Sequence, residues 1–293
     1  LVVAVPFGVA SSVVYGTSIV VQHRAAQQHG GESGSANAAG LLKLVRSPAW
    51  LLAIVGDLVG FLLQLVALST GPVVVIQPLV VLMLPVSLFV SAILGWHDPK
   101  PRDYLGVVSV VGGLAVFLLV SGNPTHAHVS HPRLLAMTSA ITLVVGFALC
   151  FAVTGRSRVV RGAVFGGVAG AFFGTLAVMV NAAGHVLHRH GIHGLLATSH
   201  GLVPLAAVVL VGGAGIVLTQ LSFQVGALVA TLPANLAADP LVAVVLGALV
   251  LHERLAVSAG HVTVYVLCFA AVLAGAIQLA EAEAEVEAGV EVG

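Results

Sequence analysis

The sequence predicts an all-α polytopic membrane protein with about nine transmembrane helices arranged as an inverted-topology repeat, spans 1–4 paired with spans 6–9. Three observations predict it. Of 293 residues, 59% are hydrophobic and only 8% are charged, where soluble domains carry about 25% charged residues. The apolar residues gather in stretches of about 20 or more, long enough at about 1.5 Å per residue to cross a hydrocarbon layer of roughly 30 Å. Glycines, prolines and acids then recur at one offset along the chain.

Taken in order, the spans are predicted at 2–22, 48–70, 72–95, 103–121, 133–154, 159–184, 203–224, 226–251 and 257–279. Tight connections at 69–72 and 224–226 make hairpins of spans 2–3 and 7–8. Residues 24–47, rich in Gly, Ser and Ala, form the longest polar loop, and 185–202 is a second, histidine-rich one. Span 8 lies in Gly226–Glu253 and carries Pro233, Asn235, Asp239 and Pro240. A carboxylate at mid-membrane costs roughly 2.5–3.5 kcal/mol on insertion scales, so Asp239 is expected to face a cavity or a partner. The end of the chain, with Glu281, Glu283, Glu285, Glu287 and Glu291, reads as a solvated, unstructured tail. Leu1 already stands in an apolar run, which suggests a start downstream of the natural one. Cys150 and Cys268 sit inside apolar spans, which points away from a disulfide framework and a thiolate metal site.

Orientation follows from Lys and Arg in alternate loops, since cytoplasmic loops retain positive charge. Arg24, Lys43, Arg46, Lys100, Arg102, Arg156, Arg158 and Arg161 fall on one side; Arg133, Arg189 and Arg254 fall on the other. The first side is therefore predicted cytoplasmic, together with the C-terminus, in a multi-pass protein of the plasma membrane.

Six pairs share an offset of 155: Gly60 and Gly215, Gly71 and Gly226, Pro78 and Pro233, Pro85 and Pro240, His97 and His252, Asp98 and Glu253. An offset of 158 relates Phe7, Gly8, Gly16 and Thr17 to Phe165, Gly166, Gly174 and Thr175. Five spans separate each helix from its counterpart, and an odd number makes the two copies cross in opposite senses. The domain reading is a first repeat at 1–122, a linking helix with the second repeat at 133–280, and the acidic cytoplasmic tail at 281–293. Inverted repeats of this kind are characteristic of secondary transporters, with the substrate site near the midplane between the halves.

Two acids lie deep in apolar spans. Asp57 is about 13 Å along span 2, and Asp239 shares a helix face with Asn235. The prolines of Gly226–Glu253 recur in Gly71–Asp98 and look architectural, helping both copies bend. Gln64, Gln77, Asn181, Gln220 and Gln224 add amide donors and acceptors. Two readings stay open: a site for substrate or coupling ion with Asp57 or Asp239 as cation ligand or proton carrier, and a buried network between helices. With no Lys or Arg at mid-depth, the first points to a cationic or protonatable solute. Gly162, Gly166, Gly170 and Gly174, with Gly8, Ser12 and Gly16 in span 1, predict close helix packing. In the histidine-rich loop, His185/His188 and His190/His193 have a spacing compatible with a divalent metal. No hydrolase or nucleotide-binding motif is present, so an enzyme is not expected, nor is a cofactor.

The segment Ala67-Leu68-Ser69-Thr70-Gly71-Pro72, followed by Gln77-Pro78-Leu79 and by Leu105-Gly106 to Gly113-Leu114, resembles the EamA repeat of the drug/metabolite transporter superfamily. Gly226, Pro233, Gly247 and Glu253-Arg254-Leu255 resemble its second copy. Within the superfamily, the long first loop, Gly56-Asp57-Leu58-Val59-Gly60-Phe61 and Phe173-Gly174 to Val178-Met179 are similar to the NIPA-type magnesium transporter branch. The resemblance implies a secondary transporter that moves a small solute by alternating access. Its alternative is a magnesium or other divalent-cation transporter of NIPA type, with Asp57 as a cation ligand; a non-transporting membrane scaffold is the remote one. Ten spans are usual in the superfamily, and a helix before Leu1 would give span 5 its partner. The expected partners are the lipid bilayer, a small-molecule or cation substrate and a second copy in a homodimer; nothing points to nucleic acid.

Overall fold

The computed structural model describes residues 1–29, 47–96, 98–121, 131–225, 228–253 and 259–290. Among these the regular structure is helical: α1 (Ala4–His29), α2 (Pro48–Thr70), α3 (Val73–Leu79), a 3-10 turn (Val80–Leu82), α4 (Met83–Ile93), α5 (Pro101–Ser121), α6 (Pro132–Ala152), α7 (Arg158–Ala197), α8 (Ser199–Val225), α9 (Leu228–Val250) and α10 (Ala259–Val290). Eight stretches among the described residues are helical, long and apolar enough to cross a membrane, with Val73–Ile93 counted as one across its 3-10 turn. The span expected at 226–251 is α9, whose described apolar stretch is Ala234–Val250. Large apolar side chains such as Leu52, Ile93, Leu119 and Val209 are exposed on the helix faces. In lipid that is their proper solvent, and helices satisfy their own backbone hydrogen bonds there.

Small residues decide which helices touch. On α7, a Cβ at Gly166 would meet the Thr231 backbone, one at Gly170 the Asn235 carbonyl, and one at Gly174 the Asp239 carbonyl. Residues four apart share a face, so α7 and α9 lie backbone to backbone along this stripe. On α1, Gly8 faces Ile76 and Leu79, and a Cβ at Gly16 would lie 2.8 Å from the Val86 Cβ. Between them, Ser12 Oγ donates to the Leu79 carbonyl at 2.8 Å, where the 3-10 turn interrupts the α-helical pattern. In both places the second backbone fills the space that a side chain would need, which is how helices associate in lipid. Helix α1 also packs on α2, α7 on α8, and α5 on α10. The core runs through Ala67, Leu68, Val73–Ile76, Val178–Val180 and Ala243, where α2, α3, α7 and α9 meet.

Several expectations change. Span 3 is not one helix: the chain passes from α3 to α4 through the 3-10 turn, between Pro78 and Pro85. Proline lacks the amide that would continue the ladder. Yet α9, with Pro233 and Pro240, is one α-helix, so the prolines of these two segments do not interrupt them alike. The region 185–202 is not a loop. Helix α7 continues to His190, breaks at Gly191 (φ 65°), and resumes to Ala197. Only glycine adopts that backbone freely. The acidic segment is helical as far as Val290, in keeping with the high helix propensity of Ala and Glu.

Candidate functional site

Helix α2 turns Ala53, Gly60, Gln64, Ala67 and Leu68 inward. The same side carries Asp57, one turn before Gly60, and its carboxylate accepts a hydrogen bond from Gln22 Nε2 of α1 at 2.5 Å. Ser11 Oγ donates to the Gly60 carbonyl at 2.8 Å. The Tyr15 ring lies over Gly60, 3.1 Å from where a Cβ would stand. Across the interface Asp239 of α9 accepts from Gln77 Nε2 of α3 at 2.6 Å. Tyr15 lies within electrostatic reach of both Asp57 and Asp239. The arrangement is thus two acid–amide pairs, each joining two helices, with the Tyr15 phenol within electrostatic reach of both acids.

Each pair has capacity to spare. A carboxylate offers several lone pairs and an amide side chain both donates and accepts. The Gln77 Oε1 atom is buried without a hydrogen-bond partner, and both amide atoms of Gln64 are as well, on a residue only 8% exposed. Buried polar atoms of this kind cost roughly 1–3 kcal/mol each when unpaired.

The backbone carbonyl of Asn235 faces Gly170. Asn181 is fully buried and donates to the carbonyls of Leu68 at 2.7 Å and Gly71 at 2.9 Å, where α2 ends. The side chains of Gln220 and Gln224 lie outside the described residues. Among the histidines, His185 is half-buried while His188, His190 and His193 are exposed. The break at Gly191 falls between His190 and His193, so that pair loses the helical register its spacing implied. No group of three or more His, Cys, Asp or Glu suited to a metal ion occurs among the described residues.

Sequence reasoning missed Gln22, Tyr15 and Glu253. Gln22 stands at the end of a predicted span, where a polar residue raises no question. Tyr15 stands 158 residues before Phe173, which has no hydroxyl. Glu253 accepts hydrogen bonds from the amides of Val73 at 2.8 Å and Val74 at 2.9 Å. Burial pushes its carboxyl above the usual glutamate range, and the two amides draw it part of the way back.

A comparison with known proteins finds an uncharacterized protein of Corynebacterium glutamicum, 31% identical over 259 residues, which cover 86% of this chain and 85% of that protein. The chain belongs to the family of that protein. No protein-family model matches the chain, and no solved structure matches it. The likeness to this family covers most of both chains.

Proposed function

We propose that the chain is a secondary transporter of the drug/metabolite superfamily type, carrying a small cationic or hydrogen-bonding solute by alternating access between two inverted halves, α1–α5 and α7–α10. The observation that carries this reading is the two part-buried acid–amide contacts that join helices, Asp57 with Gln22 and Asp239 with Gln77, with Tyr15 within electrostatic reach of both acids. Acids inside apolar spans are expensive, and they commonly mark a pathway for a solute or a proton. The inverted repeat is supported by matching contacts. Gly8, Ser12 and Gly16 meet the α3–α4 backbone or side chains as Gly166, Gly170 and Gly174 meet α9. Tyr15 covers Gly60 as Phe173 covers Gly215. The outermost helices of the halves, α5 and α10, pack together.

A resident divalent cation is less well supported, because magnesium takes a shell of about six oxygens, while each acid here is hydrogen-bonded to a glutamine. The reading is a carrier. Flux into proteoliposomes tests it. Uptake of organic cations driven by a proton gradient is expected; magnesium uptake that needs no proton gradient would favour the NIPA-type alternative, and an absence of flux for any solute would leave a scaffold.

A further inference from the structure

The hairpin between α2 and α3 is held from the other half of the chain. Asn181 Nδ2 reaches the carbonyls of Leu68 and Gly71, and the Glu253 carboxylate takes the amides of Val73 and Val74. These are groups that a helix end leaves without an internal partner. Gly184 lies so close to Ser69 that a Cβ there would meet the serine Cβ. Glu253 is 3% exposed. It is turned back under α9 by His252, which takes a left-handed backbone (φ 55°), and its own amide donates to the Gly247 carbonyl at 3.1 Å. The carboxylate fits because Gly247 has no side chain: a Cβ there would stand 2.9 Å from Glu253 Oε2.

The counterpart at the opposite end is arranged differently. The offset of 155 relates Glu253 to Asp98, and Val73 and Val74 to Leu228 and Val229, which open α9. Glu253 is buried, whereas Asp98 is exposed. A left-handed non-glycine residue is unusual and costs of order 1–3 kcal/mol, so the arrangement around Glu253 is one the rest of the fold must hold in place.

We infer that Asn181, Gly184 and Glu253 form a gate that closes the α2–α3 end, and that the opposite state opens it while Asp98 takes the corresponding place at the start of α9. This rests on the transport reading above, in which an inverted pair offers two end states related by exchange of the halves. The two gates are then exclusive, and weakening one strengthens the other.

Hydrogen–deuterium exchange of the full chain in nanodiscs tests this. In Glu253→Gln the Val73 and Val74 amides should exchange roughly tenfold faster, the loss expected for a charge-assisted bond made neutral, and amides at the start of α9 should become slower. Asp98→Asn, which leaves the buried contact intact, should do the reverse and protect Val73 and Val74. Faster exchange at Val73 and Val74 with no change at the start of α9 would make Glu253 a static helix cap and overturn the inference, as would unchanged exchange in both variants. Should Glu253→Gln fail to fold, Asp98→Asn still decides the matter by whether it protects Val73 and Val74. Reciprocal exchange without solute flux would remove the transport reading and keep the two-state gate; flux without reciprocal exchange would do the opposite.

Discussion

Asp239→Asn separates a carboxylate that carries charge from one that only ties two helices together. In the native protein Asp239 accepts from Gln77 Nε2 at 2.6 Å. Asparagine keeps an oxygen in place of Oδ1, so the α3–α9 contact persists while the charge is lost. A hydrogen bond to a charged group contributes about 1.5–3 kcal/mol and a neutral one about 0.5–1.5 kcal/mol. The stability loss should therefore be about 1 kcal/mol, measured by unfolding in detergent or nanodiscs. Asp239→Ala leaves the Gln77 amide without its partner and should cost about 1 kcal/mol more. For a cationic solute the charge itself is the recognition element. If its loss costs about 1.4 kcal/mol or more in the loaded state, flux at subsaturating solute falls at least about tenfold. The assay is uptake in proteoliposomes across a pH series, for the native chain and both variants at equal protein content. Full uptake by Asp239→Asn at every pH would refute the charge-based role and leave a helix-joining network.

Gly170→Ala places a methyl against the Asn235 carbonyl and the Asp239 amide, both backbone groups that cannot rotate away. It should cost about 1–3 kcal/mol of stability as overpacking, read by thermal unfolding; the same change at Gly112, where a Cβ meets nothing, should be nearly neutral. Tyr15→Phe keeps the ring over Gly60, as Phe173 lies over Gly215, so melting should be unchanged while uptake falls or selectivity among solutes shifts; unchanged uptake would remove the hydroxyl from the site. For Glu253, burial raises the carboxyl above the ordinary glutamate range, so between that range and the folded value the folded state binds more proton than the unfolded state. This contribution is full below the ordinary glutamate range and declines as pH rises from there through the folded value. Glu253→Gln should flatten that part of a stability–pH curve in nanodiscs.

The membrane class and the place of eight long apolar helices were legible because hydrophobic length is a local property, set by bilayer thickness. The glycine stripe of α7 was legible for the same reason: residues four apart must share a face, whatever lies opposite. The candidate site was legible only in part. Asp57, Asp239, Gln64 and Gln77 stood out as polar residues in apolar spans, but their partners did not. Gln22 and Asp57 are 35 residues apart, and Gln77 and Asp239 are 162 apart; no periodicity reports such separations. Asn181, equally conspicuous in sequence, is occupied by the end of α2.

From the sequence alone came the composition, the apolar lengths, the recurring offsets and the small-residue faces, all fixed by covalent order and helix geometry. Only the tertiary structure decided that Gln22 pairs with Asp57 and Gln77 with Asp239, that Pro78 and Pro85 bracket a break while Pro233 and Pro240 do not, and that Glu253 is buried while Asp98 is exposed. The reason is physical. Each helix end is satisfied by whichever distant residue the packed arrangement brings to it, and that choice belongs to the whole fold.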